Sequence, residues 1–512
     1  MGSFYRMVFG TAAVASFALA IGCGSDSTNN NTAGSGGSAG TGGTTATGGN
    51  AGSAGSGATG GNAGTAGAGL PDTVPDLSAA TFTDPTTIDN PYLPMPVGLT
   101  HAFVEQTPDG AEIIIVETLD ETREVMGVTA RVVQDRVFLD GQLIEDTHDW
   151  FAQDDDGNVW YMGEEVDEYE YDEDGNVLSV GHEGAWEAGK DVANIGQTAL
   201  PGYAMLANPA VGLKYHQEYY PGQAEDMGEV LSLDAPVELA DGTTYSTLKT
   251  LDSPLAGGSE HKYFASGLGV VLETPDVGTG RMELVGLFDV TMASLPDFAG
   301  ATFTNPTTID NPFMSWTAGS TWTYSSETED GTEEILLDVL PDTRDVAGVT
   351  CVVVRDQVFL DGVIVEDTHD WYAQDDDGNV WYFGEEVDNY NYADDGTLID
   401  ITHDGSWEAG EDVAGAGANA QPGIVMNATP QLRTSYRQEY YEGEAEDMAF
   451  IVRDDARVEL SDGTVYENCI QTLDWVPLEP YALEFKFYAS GVGMVMETTM
   501  DGLEVTELVS TN

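Results

Sequence analysis

The sequence predicts an all-β protein of two tandem, homologous antiparallel meanders, each a barrel or half-barrel, on the strength of three observations. First, residues from about Ala80 to Val290 recur from Ala301 to the C-terminus at a nearly constant offset, so that Asp149 answers Asp370, Trp186 answers Trp407 and Glu225 answers Glu446. A register kept over a domain-sized stretch, far longer than the units that stack into solenoids, means two copies of one self-sufficient fold. Second, side chains alternate with a period of two from Thr129 through Arg131 and Val133 to Phe138, and again from Leu143 to Ala152; that pattern belongs to half-buried strands. Third, Asp-Gly pairs at Asp109-Gly110, Asp140-Gly141, Asp156-Gly157, Asp174-Gly175 and Asp241-Gly242 punctuate the β-rich runs as hairpin turns do. A curled sheet suits this length and strand density, and a two-sheet sandwich stays open as the alternative.

Taken in order, residues 1–22 read as a signal peptide. Arg6 is the only charge before an apolar run from Met7 to Ile21, too short to span a bilayer in the mature protein. Leu19, Ala20, Ile21 and Gly22 lead directly into Cys23. This ending resembles the lipobox of bacterial lipoproteins, which implies cleavage before Cys23 and lipidation on it. Gly24 stands where that family's inner-membrane retention signal has Asp, so the resemblance implies an outer-membrane or cell-surface location. Residues 23–70 are Gly, Ser, Thr, Ala and Asn almost throughout, a composition with no apolar surface to repay ordering, and read as a flexible tether. The two β domains follow at 78–294 and 298–512.

The formal net charge is −73, which excludes non-specific nucleic-acid binding and attraction to an anionic membrane surface. Membrane contact is therefore expected through the N-terminal lipid alone. Such self-repulsion is the kind that salt or divalent cations screen.

Cys351 and Cys469 lie in the second copy only, where the first has Ala130 and, near the same alignment position, Leu248. In an exported protein this joint appearance points to a disulfide; two buried thiols are the alternative.

The longest shared run extends from Glu145 to Glu165, with a twin from Glu366 to Glu386. It is no EF-hand, because a loop counted back from Gly157 begins at Ala152 and ends at Gly163, neither of them a ligand. A hairpin accounts for it, while crowded carboxylates at the turn nominate Asp154, Asp156 and Asn158, with Asp375, Asp377 and Asn379, as a weak Ca²⁺ site. On the preceding strand Asp146 and His148 share one face and Thr147 and Asp149 the other. The histidine pairs His148 and His369, and His182 and His403, are ligand-type side chains written in both copies, too few in any one place for zinc.

The stretch from Gly184 to Lys190 imitates a phosphate loop, but Asp191 stands where a hydroxyl must hold Mg²⁺ and the twin of Lys190 is Glu411. Trp186 and Trp407 read as core or pocket-wall aromatics. Lys262 and Lys486 are scarce cations at matching places, expected to neutralise buried carboxylates, as are Arg123 and Arg344. The stretch from Glu187 to Ala207 reads as an excursion with one short helix.

The strings Asp370 to Asp375 (D-W-Y-A-Q-D), Gly378 to Glu385 (G-N-V-W-Y-F-G-E), Gln421 to Met426 and Phe487 to Gly493 resemble those of uncharacterised exported bacterial proteins, including myxobacterial lipoproteins. That resemblance implies a secreted β domain and carries no known reaction. Functionally the sequence points to a non-catalytic surface protein that binds a divalent cation such as Ca²⁺, or another ligand such as a glycan. A half-barrel carrier of lipid or hydrophobic cargo and a hydrolase of extracellular polymer follow in that order, and no catalytic residue is nominated.

Overall fold

The computed structural model describes residues 74–512 apart from 108–109, 140, 173–175, 255–257, 329–330, 394 and 501–503. Cys23, the signal peptide and the tether therefore lie outside the described residues. Each copy forms its own antiparallel sheet of fifteen strands.

In the first copy the meander opens with β1 (Leu99–Thr107), β2 (Gly110–Val125), β3 (Val128–Leu139), β4 (Gln142–Gln153) and β5 (Val159–Tyr171). Short strands β6 (Val177–Gly181) and β7 (Trp186–Glu187) hang on β5, and β8 (Leu200–Met205) pairs beside them. The stretch read as an excursion with one short helix therefore supplies β8 and forms no helix. The close approach of β7 to β5 rests on a glycine of β5: a Cβ on Gly163, whose φ is +135°, would stand 2.5 Å from the Trp186 carbonyl. The return half comprises β9 (Lys214–His216), β10 (Glu218–Tyr219), β11 (Met227–Glu238), β12 (Thr244–Ser253), β13 (Glu260–Ala265), β14 (Gly269–Pro275) and β15 (Met282–Asp289), and β15 pairs with β1.

One segment closes the sheet on itself. β9 pairs with β11 at one edge and β10, one residue further on, pairs with β8 at the other. The chain passes from edge to edge at Gln217, where a Cβ on Gly202 would meet the Gln217 carbonyl at 2.2 Å. Only glycine permits that approach. The second copy repeats the device with Ser435–Arg437, Glu439–Tyr440 and Gly423 against Gln438. Each unit is thus a single curled sheet, nearly closed into a barrel, and not a sandwich.

The barrels also pack on each other. Ala102, Ile115, Phe138 and Phe288 from the outer face of the first form one apolar cluster with Met448, Phe450, Leu473 and Trp475 of the second. The Phe288 and Trp475 rings lie 4.7 Å apart, and a Cβ on Gly286 would meet Leu473 at 2.7 Å. Arg437, where the first copy has His216, donates to the Val290 carbonyl at 2.6 Å and to Ser294 Oγ at 3.1 Å.

The disulfide is not formed. Cys351 and Cys469 are both free and buried, on strands Val349–Leu360 and Val465–Val476 with five strands between them in the sheet order. They belong to different core clusters, which a bond needing Cα atoms within about 7 Å cannot join. Burial pushes their thiols up, to about 12 for Cys351 and about 11 for Cys469.

Candidate functional site

Alternation places every second side chain of a barrel strand inside. Along β3 the inward positions are Val133, Asp135 and Val137; the register sets Val133 opposite Asp149 and Asp135 opposite Thr147 on β4, and Asp149 opposite Glu164 on β5. Across the barrel, Lys262 on β13 lies between Thr250 on β12 and Glu273 on β14. Although β3 and β13 are far apart in the sheet, Asp135 feels the charges of both Lys262 and Glu273, and Asp149 that of Lys262. These side chains therefore face one shared interior, and it is acidic: Glu112, Asp135, Glu145, Asp149, Glu164, Glu218, Asp252 and Glu273 are all buried, with Lys262 the buried cation among them.

The second barrel matches this arrangement. Asp356, Asp370, Glu439 and Asp474 are buried, and Asp356 feels Glu366, Glu385, Glu497 and Glu333 around it. The Lys486 ammonium lies 3.2 Å from Asp474 and 3.6 Å from Glu497; that of Lys262 is 3.1 Å from Glu260 and 3.4 Å from Glu273.

Too many carboxylates are buried for one ammonium to neutralise, and their protonation follows. Burial pushes Glu145 up to about 7 and Glu273 up to about 8. Asp356 rises to about 8 for the same reason, with neighbouring carboxylates adding to it. The Tyr161 hydroxyl lies 2.6 Å from Asp149 Oδ1 and 2.9 Å from Glu164 Oε2. A phenol has one proton to donate, so both contacts are hydrogen bonds only when one carboxyl is protonated. Burial lifts Asp149 to about 7, against the Tyr161 hydrogen bond that lowers it. Tyr382 donates to Asp370 at 2.8 Å in the second copy, where burial raises Glu385 to about 7.

Asp135 stands apart: it is 2 % exposed, and neither of its carboxylate oxygens has a hydrogen-bond partner among the described residues. Its twin Asp356, 7 % exposed, leaves Oδ1 without one. A buried carboxylate without a partner is costly, yet both copies keep it.

The residues nominated from sequence fall in three places. Lys262 and Lys486 line the interiors. Trp186 and Trp407 are fully buried against Tyr161 and Tyr382, edge to face with centroids 5.3 Å apart in both copies, so they wall the carboxylate–tyrosine groups. The histidines lie on the outer surface. His182 Nδ1 is 2.8 Å from Asp167 and 3.0 Å from the Val166 carbonyl, His403 repeats this with Asp388 and Val387, and His148 reaches only Asp146 at 3.6 Å. His369 lies opposite Glu386 in the strand register. Arg123 and Arg344 are also outside, pairing with Glu187 and Glu408 over Trp150 and Trp371.

Of the turn carboxylates, Asp154 and Asp375 are committed to the hairpin. Asp154 accepts from the backbone N–H groups of Asp156 and Asn158, from the Asn158 amide and from Trp160 Nε1 at 2.8 Å, and Asp375 does the same for Asp377, Asn379 and Trp381. Asn158 in turn accepts from Ala207 N–H, and Asn379 from Ala428 N–H. The Asp154 and Asp375 oxygens have no capacity left for Ca²⁺ as arranged. Among the described residues no group of three or more His, Cys, Asp or Glu is positioned to hold a metal ion. Replacing Asp154 by Ala leaves the buried Trp160 indole and two amides unpaired and is expected to cost about 1–3 kcal/mol in denaturant unfolding.

Neither a family model nor a curated protein sequence matches this chain. Among solved structures it is similar to a chain from Parabacteroides distasonis ATCC 8503, provisionally described as a lipoprotein, at 9 % identity and a TM-score of 0.21, covering 38 % of this chain and 98 % of that one.

Proposed function

We propose that this chain is an exported, lipid-anchored protein of the outer membrane or cell surface that carries two acidic barrels as non-catalytic binding modules for a cation or other small polar ligand. The observation that carries the reading is the acid lining of both interiors, retained through duplication despite its cost in stability. Stability given up at a place where folding gains nothing is characteristic of functional sites. Carriage of lipid or hydrophobic cargo is disfavoured, because carboxylates line the space an acyl chain would have to enter. Hydrolysis of a polymer is disfavoured because the paired carboxyls Asp149 and Glu164 are 3 % and 2 % exposed, out of a polymer's reach.

The anchor rests on the ending at Cys23 and is tested separately. Replacing Cys23 by Ala is expected to abolish incorporation of labelled fatty acid and to release the protein from the membrane fraction into the soluble one. A variant that keeps its label and its membrane association would overturn the assignment.

A further inference from the structure

We infer that the interior of each barrel is a site for one hard divalent cation of the calcium type, held by Asp135 with Glu145 and Asp149 in the first barrel and by Asp356 with Glu366 and Asp370 in the second. This rests on the reading of the barrels as binding modules and names what they bind and where.

The acidic lining alone would not carry the assignment; Asp135 and Asp356 do. Each is more than nine-tenths buried, points into the lining and has carboxylate oxygen without a hydrogen-bond partner among the described residues. The donors around them are all oxygens: Glu145 and Asp149 in the first copy, Glu366 and Asp370 in the second, with the hydroxyls of Tyr161 and Tyr382 behind. Oxygen-only, anionic surroundings select calcium or magnesium over the softer transition metals. The ammonium groups of Lys262 and Lys486 occupy the opposite wall, paired with Glu273 and with Asp474 and Glu497; Lys262 acts on Asp135 and Asp149 through its charge, and neither oxygen of Asp135 has a hydrogen-bond partner among the described residues. Glu260, half-buried beside Lys262, continues the acid lining toward solvent.

As the side chains stand, no three of these groups are close enough to bind an ion together. Binding therefore requires the Asp135 and Asp149 carboxylates, on neighbouring strands and diagonal to each other two residues apart in register, to turn toward a common centre. The ion supplies the attraction that their mutual repulsion opposes.

Equilibrium dialysis of the full chain in detergent against radioactive calcium at neutral pH decides the matter. One ion per barrel is expected; Asp135→Asn should remove the ion of the first barrel, Asp356→Asn that of the second, and the double variant both. The turn variants Asp156→Asn and Asp377→Asn should bind as the wild type does. Calcium binding that survives the double variant, or is lost in the turn variants, would overturn the proposal. Since loss of binding in an interior variant could also follow from misfolding, the wild type provides its own check: displacement of its calcium by an equal concentration of sodium or of methylammonium would overturn the proposal equally. Absence of calcium binding in a protein that is still lipid-labelled at Cys23 defeats this inference and leaves the anchor assignment standing.

Discussion

In calcium-free buffer, lowering the pH from about 8 to about 5 is expected to stabilise both barrels. Asp149 and Glu145 in the first barrel and Glu385 in the second are raised by burial to about 7, and Glu273 and Asp356 to about 8. Unfolded carboxyls titrate near 4, so between there and neutrality the native state holds protons that the unfolded state has lost. Stability from such groups is fully present below the unfolded value and is lost as the pH rises through the native one. The groups facing Asp149 set the size of the effect: the Tyr161 hydrogen bond and Lys262 favour its charged form, while burial opposes it. At about 1.4 kcal/mol per unit for one group, and with the couplings among them reducing the sum, roughly 3 kcal/mol per barrel should separate the two pH values. Urea unfolding at a series of pH values measures this; stability that rises steadily from pH 5 to 8 would contradict it. Surface pairs such as Arg457 with Glu459 contribute little in this window.

Replacing Trp475 by Ala should have the largest effect of any single substitution between the barrels. Its ring is 1 % exposed, lies against Phe288 of the other barrel and donates from Nε1 to the Pro480 carbonyl at 3.1 Å. A cavity of that size costs about 3–5 kcal/mol, and since part of it opens in the cluster shared by both barrels, their unfolding should separate into two transitions. Phe288→Ala attacks the same contact from the other side. In a double-mutant cycle followed by calorimetry the two substitutions should couple; strict additivity would mean that the barrels do not share this cluster.

How far the sequence announced this structure depends on which residues are asked. The repeat, the alternation along β3 and β4 and the Asp-Gly turns foretold curled antiparallel sheets, because strand period and turn chemistry are local properties. Closure through Gln217 and Gln438 was not legible, since it depends on where the two sheet edges meet. Alternation already put Thr147 and Asp149 on the face opposite His148, and that face is the interior. Yet His148, His182 and the turn aspartates drew the attention as ligand-type residues, and they lie outside or are spent on the hairpin. In so acidic a chain a single aspartate gives no signal by its type. What marks Asp135 is the fold, in which Val133 and Val137 on either side of it point into the interior of a nearly closed barrel. The same blindness applies to Cys351 and Cys469: their joint presence in one copy suggested a bond, but they settled as separate apolar core residues.

The central claim is that the barrel interiors hold protonated carboxyls that a divalent cation can replace. Difference infrared spectroscopy of the full chain at neutral pH, recorded before and after calcium is added, tests it most directly. The account predicts a carboxylic-acid carbonyl band at neutral pH that calcium converts to carboxylate absorption, with that conversion lost in the Asp135→Asn, Asp356→Asn double variant. A spectrum with no carboxylic-acid band at neutral pH, or with one that calcium leaves unchanged, would contradict it.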